Sequence, residues 1–374
     1  MRHSKRALCL LTLLAFLPLV LLGCRGRSGR TESRDSGGTS AVPRTQVSDT
    51  RPTTAPTATP TVAPTVVEKP TTVPTVIPTA VEEPTATPTV IPTVVEEPTW
   101  AECRQWLASS KELTVPFDCP ASWSFFRDEL FKRGGGVFPV GDDRYYLVLF
   151  PDDWETVTNR KIIISLHGTG GCAEWMLNHW YQTSSPAHSW VLVALQYYDR
   201  ETKQYDGDEV IYQNLQTILD DLHTHCPIAG SDVFYHGFSR GSAQSFPVAI
   251  RDRAGRQAFS AFIADSGCAG LDYPTLRNAP DDALKGAHFW MWCGENDVST
   301  VDPNRMTCGV MQTDMLPYVQ NHGGVVDALI QEKGAAHGMF SGCPQENAKE
   351  CTPRTAENLG PSLPLLFDYI ESFP

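Results

Sequence analysis

The chain has 374 residues and a formal net charge of −13, an acidic balance that argues against nucleic acid as a partner and favours solubility. All nine tryptophans fall in residues 100–374, whereas the first ninety-nine residues contain almost no aromatic side chains. Only the later part can bury a sizeable core, and its length suits one large α/β domain.

Taken in chain order, residues 1–23 read as an export signal: Arg2, Lys5 and Arg6 precede an apolar run, Ala7 to Leu22, interrupted only by Thr12 and Pro18. The run is shorter than the ~20 residues of a permanent span. It ends in Leu21-Leu22-Gly23-Cys24, which resembles the bacterial lipobox, and the resemblance implies lipidation at Cys24 and anchoring to a membrane. The alternative is an ordinary cleaved signal with an incidental Cys24 and a secreted product. Either way the expected location is extracytoplasmic, at the bacterial cell surface if the lipid is attached. Arg25, Arg27, Arg30 and Arg34 could add attraction to anionic head groups or form a solvated basic stretch.

Residues 24–99 read as a disordered Pro/Thr-rich stalk. "PTVAPTVVEKP" (60–70), "PTVIPTAVEEP" (74–84) and "PTVIPTVVEEP" (88–98) repeat with a period of fourteen. Proline at this density excludes helix and sheet ladders and favours extended polyproline, at ~3.1 Å per residue. No repeat has a face to bury, so the array is a spacer on the order of 100 Å long, not a solenoid.

Beyond Cys9 and Cys24, nine cysteines remain, which in an oxidising compartment implies disulfides and at least one unpaired thiol. Cys103 with Cys119, and Cys343 with Cys351, are close enough to pair locally; other connectivities stay open. His223, His225 and Cys226 lack a second ligand cluster, so no metal and no cofactor is expected.

Residues 100–374 alternate strand and helix. The runs at 145–150, 161–168 and 190–197 read as strands, the last two apolar enough to be buried on both faces. Helices are expected at 172–182 and 208–226, the latter with Val210, Ile211, Leu215, Ile218, Leu219 and Leu222 on its apolar face. "DVFYHGFS" runs from strand into turn, and "RGSAQSFPVAIRDR" into a helix that Pro247 should kink or shorten. Strands at 258–267 and 287–297, a strand and loop over 325–340, and a helix at 363–373 complete the pattern. Alternation of this kind predicts a mainly parallel sheet flanked by helices, with its site at the carboxyl ends of the strands.

Ser239 sits in "GFSRGS", a G-x-S-x-G pattern between strand and helix, where side chains at Gly237 and Gly241 would collide across the bend. A serine hydroxyl needs a base, and the base an orienting carboxylate. Asp297 in "GEND" and His337 in "GAAHGMF" follow successive later strands. His322, at a helix end, His236, before the elbow, and His288, at a strand start, read as structural or exposed. Asp265 ends a strand and is the rival acid, and Asp302 shares the loop of Asp297. "LHGTGG" (166–171) can supply an oxyanion donor from Thr169, with Arg240 N–H as the second.

From about Trp123 to Phe373 the chain resembles the α/β-hydrolases, nearest to secreted esterases such as polyhydroxybutyrate depolymerases and feruloyl or acetylxylan esterases. The residues that carry the resemblance are "LHGTGGCAEWM", "GFSRGS", "GEND" and "GAAHGMF". It implies Ser239 as nucleophile, His337 as base, Asp297 as its orienter, and Thr169 and Arg240 as oxyanion donors, acting on small or polymeric esters through an acyl-enzyme. Arg240 departs from the usual smaller residue. It could hold a substrate carboxylate, or pair internally with an acid such as Asp265, as a first helical turn pointing into the domain would favour. A peptidase of the prolyl-oligopeptidase type is a second reading, without the propeller-like repeats expected before it. A surface binding protein with an idle site is a third. Trp175, Trp180, Tyr181, Trp190, Tyr197 and Tyr198 could line a cleft for sugars or phenolic acyl groups, or form core.

Overall fold

The computed structural model describes residues 96–184, 188–297, 308–338 and 360–374. The export signal, Cys24, nearly all of the stalk, Asp302 and the Cys343–Cys351 pairing lie outside them. No helix among the described residues is long and apolar enough to cross a membrane.

The chain enters through α1 (Trp100–Ser109), opened by a reciprocal cap: Thr99 Oγ1 accepts from Glu102 N–H at 3.3 Å, and Glu102 Oε2 from Thr99 N–H at 2.7 Å. Then come α2 (Ser124–Lys132), β1 (Gly136–Val140), β2 (Arg144–Leu149), β3 (Lys161–Leu166), α3 (Ala173–Ser184) and β4 (Val191–Gln196). A small hairpin, β5 (Tyr198–Asp199) and β6 (Gln204–Tyr205), precedes α4 (Asp208–His225) and β7 (Asp232–Phe238). The rest is α5 (Arg240–Ala254), β8 (Ala261–Asp265), α6 (Pro274–Arg277), β9 (His288–Gly294), α7 (Cys308–Val310), α8 (Leu316–Asn321), β10 (Val325–Glu332) and α9 (Ser362–Ser372).

Eight strands form one sheet in the order β1-β2-β4-β3-β7-β8-β9-β10. β2 pairs antiparallel with both β1 and β4, and every later pairing is parallel. The central strands are apolar throughout because both faces are covered. Ile162, Ile164 and Leu166 face a core shared with Ile211, Leu215 and Ile218 of α4 and Phe246 of α5. Ile163 and its neighbours Phe234 and Ile263 face a second core, closed by Met176 and Trp180 of α3 and Leu366 and Phe367 of α9. Alternation along each strand thus builds two cores, one on each face.

The structure departs from two local expectations in part, for identifiable reasons. Pro247 does not shorten α5, which runs fifteen residues through it with the proline fully enclosed; packing on both β7 and β8 holds the turn despite the missing N–H. Val210 is 45% exposed and lies off the buried stripe of α4 that Ile211, Leu215, Ile218, Leu219 and Leu222 define. The pairing of cysteines is also long-range. Cys103 bonds Cys226 and Cys119 bonds Cys172, so the local Cys103–Cys119 bridge is wrong, and Cys293 bonds Cys308. Sequence proximity misled because α1 carries Cys103 against the end of α4, whereas Cys119 lies beside the start of α3. Cys268 is the free, buried thiol among the described residues, and burial pushes it well up.

Candidate active site

Ser239 stands between β7 and α5 with φ 54° and ψ −110°, a region that costs a non-glycine residue ~1–3 kcal/mol. Two backbone bonds hold it there: Ser239 N–H donates to Asp265 O at 2.8 Å, and Ala243 N–H to Ser239 O at 3.0 Å. A Cβ at Gly237 would collide with the Gly241 carbonyl, and one at Gly267 with the Ser239 carbonyl, so the bend closes only with glycine at both places.

His337 and Asp297 lie on the loops after β10 and β9. His337 Nδ1 is 2.9 Å and 3.0 Å from the two carboxylate oxygens of Asp297. The Asp297 side chain is fully buried, while that of His337 is 27% exposed, leaving the ring able to meet a substrate. Backbone bonds lace these loops together: Asn296 N–H donates to Ala335 O at 2.8 Å, and Glu295 N–H to Glu332 O at 2.9 Å. Gly338 N–H reaches Ser266 Oγ at 2.9 Å, tying the histidine loop to the residue after β8. The His337 ring lies 5.0 Å from the ring of Phe238, the residue before Ser239. The Cys293–Cys308 bond closes the acid-bearing segment from the β9 side.

Numbered along the main sheet, the elbow follows the fifth strand, the acid the seventh and the histidine the eighth, with only the second strand reversed. The fold is that of the α/β-hydrolases. Among solved structures, the chain is similar to a thermostable esterase at 16% identity and TM-score 0.37, over 54% of each chain. It is similar to a phospholipase/carboxylesterase from Dyadobacter fermentans at 15% identity and TM-score 0.36, over 49% of this chain and 85% of that one. A dienelactone hydrolase-like promiscuous phosphotriesterase from metagenomic libraries matches at 11% identity and TM-score 0.46, over 64% and 98%. The chain thus spans about half the length of the first of these and most of the others. No family model matches it, and no curated protein does.

In this α/β-hydrolase sheet the loop after β3 runs against the elbow: a Cβ on Gly168 would stand 3.0 Å from Ser239 Cβ. Of its amides, Gly171 N–H donates to Gly168 O at 3.0 Å and Gly170 N–H to the Tyr205 hydroxyl at 2.6 Å. Thr169, exposed at the loop tip, is the neighbouring amide on the same turn. His167 beneath it is fully buried, its Nδ1 2.9 Å from Gly168 O, and burial pushes its imidazole down to about 4.

Arg240 opens α5, where first-turn N–H groups have no partner within the helix. Its guanidinium lies 4.1 Å from the centre of the Tyr205 ring, which stacks on Tyr198 at 4.3 Å. The favoured internal partner, Asp265, instead faces His236, with His236 Nε2 3.8 Å from its carboxylate. Tyr205 therefore touches both the loop after β3 and Arg240, a placement no motif announced. Its burial raises the phenol, and the nearby Arg240 charge partly offsets that.

Of the six aromatic residues considered for a cleft, Trp180, Trp190 and Tyr197 are core. Trp175 does line a cavity of about 310 Å³, together with Pro120, Trp123, Phe238 and the loop residues Gly168 to Cys172. Trp123 was not among the candidates, because no pattern in the sequence brings residue 123 to this place.

Proposed function

We propose that the chain is an extracytoplasmic serine hydrolase that cleaves carboxylic esters through an acyl-enzyme. The observation that carries this reading is the His337–Asp297 pair, 2.9 Å and 3.0 Å apart, on loops packed against a strained Ser239 elbow. In the proposed cycle Ser239 Oγ attacks the ester carbonyl and His337 Nε2 takes its proton. Asp297 accepts from Nδ1–H and so fixes the tautomer that leaves Nε2 as the acceptor. The amides of Thr169 and Arg240 receive the developing oxyanion, each worth ~3 kcal/mol of barrier. His337 returns the proton to the leaving alcohol. Water then repeats the sequence on the acyl-enzyme and frees the acid and Ser239.

Three disulfides among the described residues accord with an oxidising location outside the cytoplasm. We place the lipid at Cys24 and the stalk between it and the hydrolase domain on the sequence alone. Kinetics on a short-chain p-nitrophenyl ester test the catalytic reading. Wild type should turn over, and Ser239→Ala should lose about 10⁴-fold or more in kcat. Turnover that survives the substitution, or cleavage of peptides without esters, would overturn the reading.

A further inference from the structure

Both amides proposed to receive the oxyanion sit where the main sheet does not fix them. β3 and β7 pair in parallel only as far as Leu166 and Gly237, and Thr169 and Arg240 lie beyond that last rung. Donors to a transition state act only when held within ~0.5 Å of their working positions. The separation of these two therefore needs a support outside the ladder.

On the Thr169 side, the turn over residues 168–171 pins two successive peptide groups. Gly168 O accepts from Gly171 N–H at 3.0 Å and lies 2.9 Å from His167 Nδ1. A trans peptide points its N–H away from its C=O, so holding Gly168 O directs Thr169 N–H outward from the turn. The next peptide is held at its N–H, which Gly170 donates to the Tyr205 hydroxyl at 2.6 Å. With the amides of Gly170 and Gly171 both engaged, that of Thr169 is the one at the tip that donates to no described group. Gly170 adopts φ 73°, and a Cβ placed on it would meet nothing within 4 Å, so packing does little to hold the tip.

Tyr205 comes from an anchored element. It lies on the β5–β6 hairpin, where it pairs with Tyr198 and stacks on that ring at 4.3 Å. The next residue, Asp206, accepts two bonds from Arg144, at 2.9 Å and 2.7 Å, and its N–H donates to Tyr197 O at 3.0 Å. Towards the hairpin turn, Arg200 N–H reaches the Asp118 carboxylate at 2.9 Å. On the Arg240 side, the guanidinium lies 4.1 Å from the centre of the same Tyr205 ring, well within the ~6 Å of a cation–π contact. One anchored residue thus touches the segments that carry both amides, with its hydroxyl on one and its ring on the other.

We infer that Tyr205 is a positioning residue: its hydroxyl fixes the tip of the loop after β3, its ring seats Arg240, and together they set the spacing of the Thr169 and Arg240 amides. The inference rests on the acyl-enzyme reading and adds to it a residue that touches neither substrate nor reacting atoms. It also assigns the Arg240 side chain as a tether for its own amide, in place of a ligand for a substrate carboxylate or a partner of Asp265.

The test measures kcat and KM on a short-chain p-nitrophenyl ester for wild type, Tyr205→Phe, Tyr205→Ala and Arg240→Met. Amide hydrogen exchange over residues 167–172 and a melting curve accompany each. Tyr205→Phe keeps the ring and loses only the hydroxyl. It should speed exchange at Gly170 and lower kcat about 10- to 100-fold, with KM and melting temperature little changed, because donors displaced by about 1 Å lose that much rate. Tyr205→Ala removes both contacts and should fall further. Arg240→Met should lower kcat about three- to tenfold while exchange at Gly170 stays as in wild type. Faster exchange with full kcat in Tyr205→Phe would overturn the positioning role, as would a rise in KM at constant kcat, which marks a substrate contact. Unchanged exchange in Tyr205→Phe would overturn the tether itself. Wild-type turnover separates this inference from the reading beneath it. An active wild type whose kcat survives Tyr205→Phe sinks only the inference, whereas a wild type that hydrolyses no ester sinks the esterase reading and this role with it.

Discussion

His337 and His236 each face an aspartate near the carboxyl edge of the same sheet, and the two pairs differ in almost everything else. His337 stands on a loop, 27% exposed, with Nδ1 2.9 Å from Asp297 and its ring against Phe238. His236 lies within β7, fully buried, with Asp265 at 3.8 Å on one side and the Trp180 indole N–H donating to its Nδ1 at 3.1 Å on the other. A donor at Nδ1 makes that nitrogen the acceptor, so His236 presents Nε2–H towards Asp265. In His337 the carboxylate is at Nδ1, and Nε2 is the nitrogen that the proposed mechanism uses. On the proposed reading the same two residue types give a working surface in one place and a core strut in the other, according to which ring nitrogen the protein engages and how exposed the ring is.

The sharpest way to break this comparison is to change the two pairs in turn. Asp297→Asn should reduce kcat about 10⁴-fold with the fold intact, because the amide favours the wrong His337 tautomer; ester kinetics and a melting curve on the same sample check it. A fall of less than tenfold would return the rival acid to consideration. His236→Ala should do the opposite, lowering stability by about 3 kcal/mol by removing a buried partner of Trp180 and Asp265 while kcat per folded molecule stays within a few-fold. Urea unfolding measures the first effect and active-site titration the second.

A third imidazole sharpens the contrast between buried and working histidines. His167 is pushed by burial to about 4, below the ordinary 6.5, so the unfolded chain binds its proton first as pH falls. Its contribution to stability is complete above about 6.5 and is lost progressively towards pH 4, by about 3 kcal/mol in all. His179, also lowered by burial, adds in the same direction. Melting temperature recorded from pH 7 to 4 should fall along this limb, and His167→Asn should flatten it. A profile unchanged by that substitution would show that other groups govern acid unfolding.

How much of this was legible depended on whether the physics was local. The strands β2, β3, β4, β7, β8, β9 and β10, the helices α3, α4, α5 and α9, and the elbow could be read because apolar periodicity and glycine spacing act over a few residues. Asp297 and His337 could be named because chain order and strand ends restrict where a base and its acid can fall, and the two do meet in the structure. By contrast α1, α2 and β1 left no clear signal: β1 carries Pro139 on an edge strand after a run of three glycines, which breaks the usual alternation. The pairing of Cys103 with Cys226 joins residues 123 apart, and Tyr205 and Trp123 reach the site only through tertiary packing. Arg240 was visible as an oddity, but its place over Tyr205 was not.

The central claim is that Ser239 is the residue made nucleophilic. Peptide mapping by mass spectrometry after treatment with a fluorophosphonate tests it most directly. The account predicts one adduct, on the peptide containing Ser239, with labelling strongly slowed in His337→Gln and absent in Ser239→Ala. An adduct on any other residue, or equal labelling of Ser239→Ala, would contradict it.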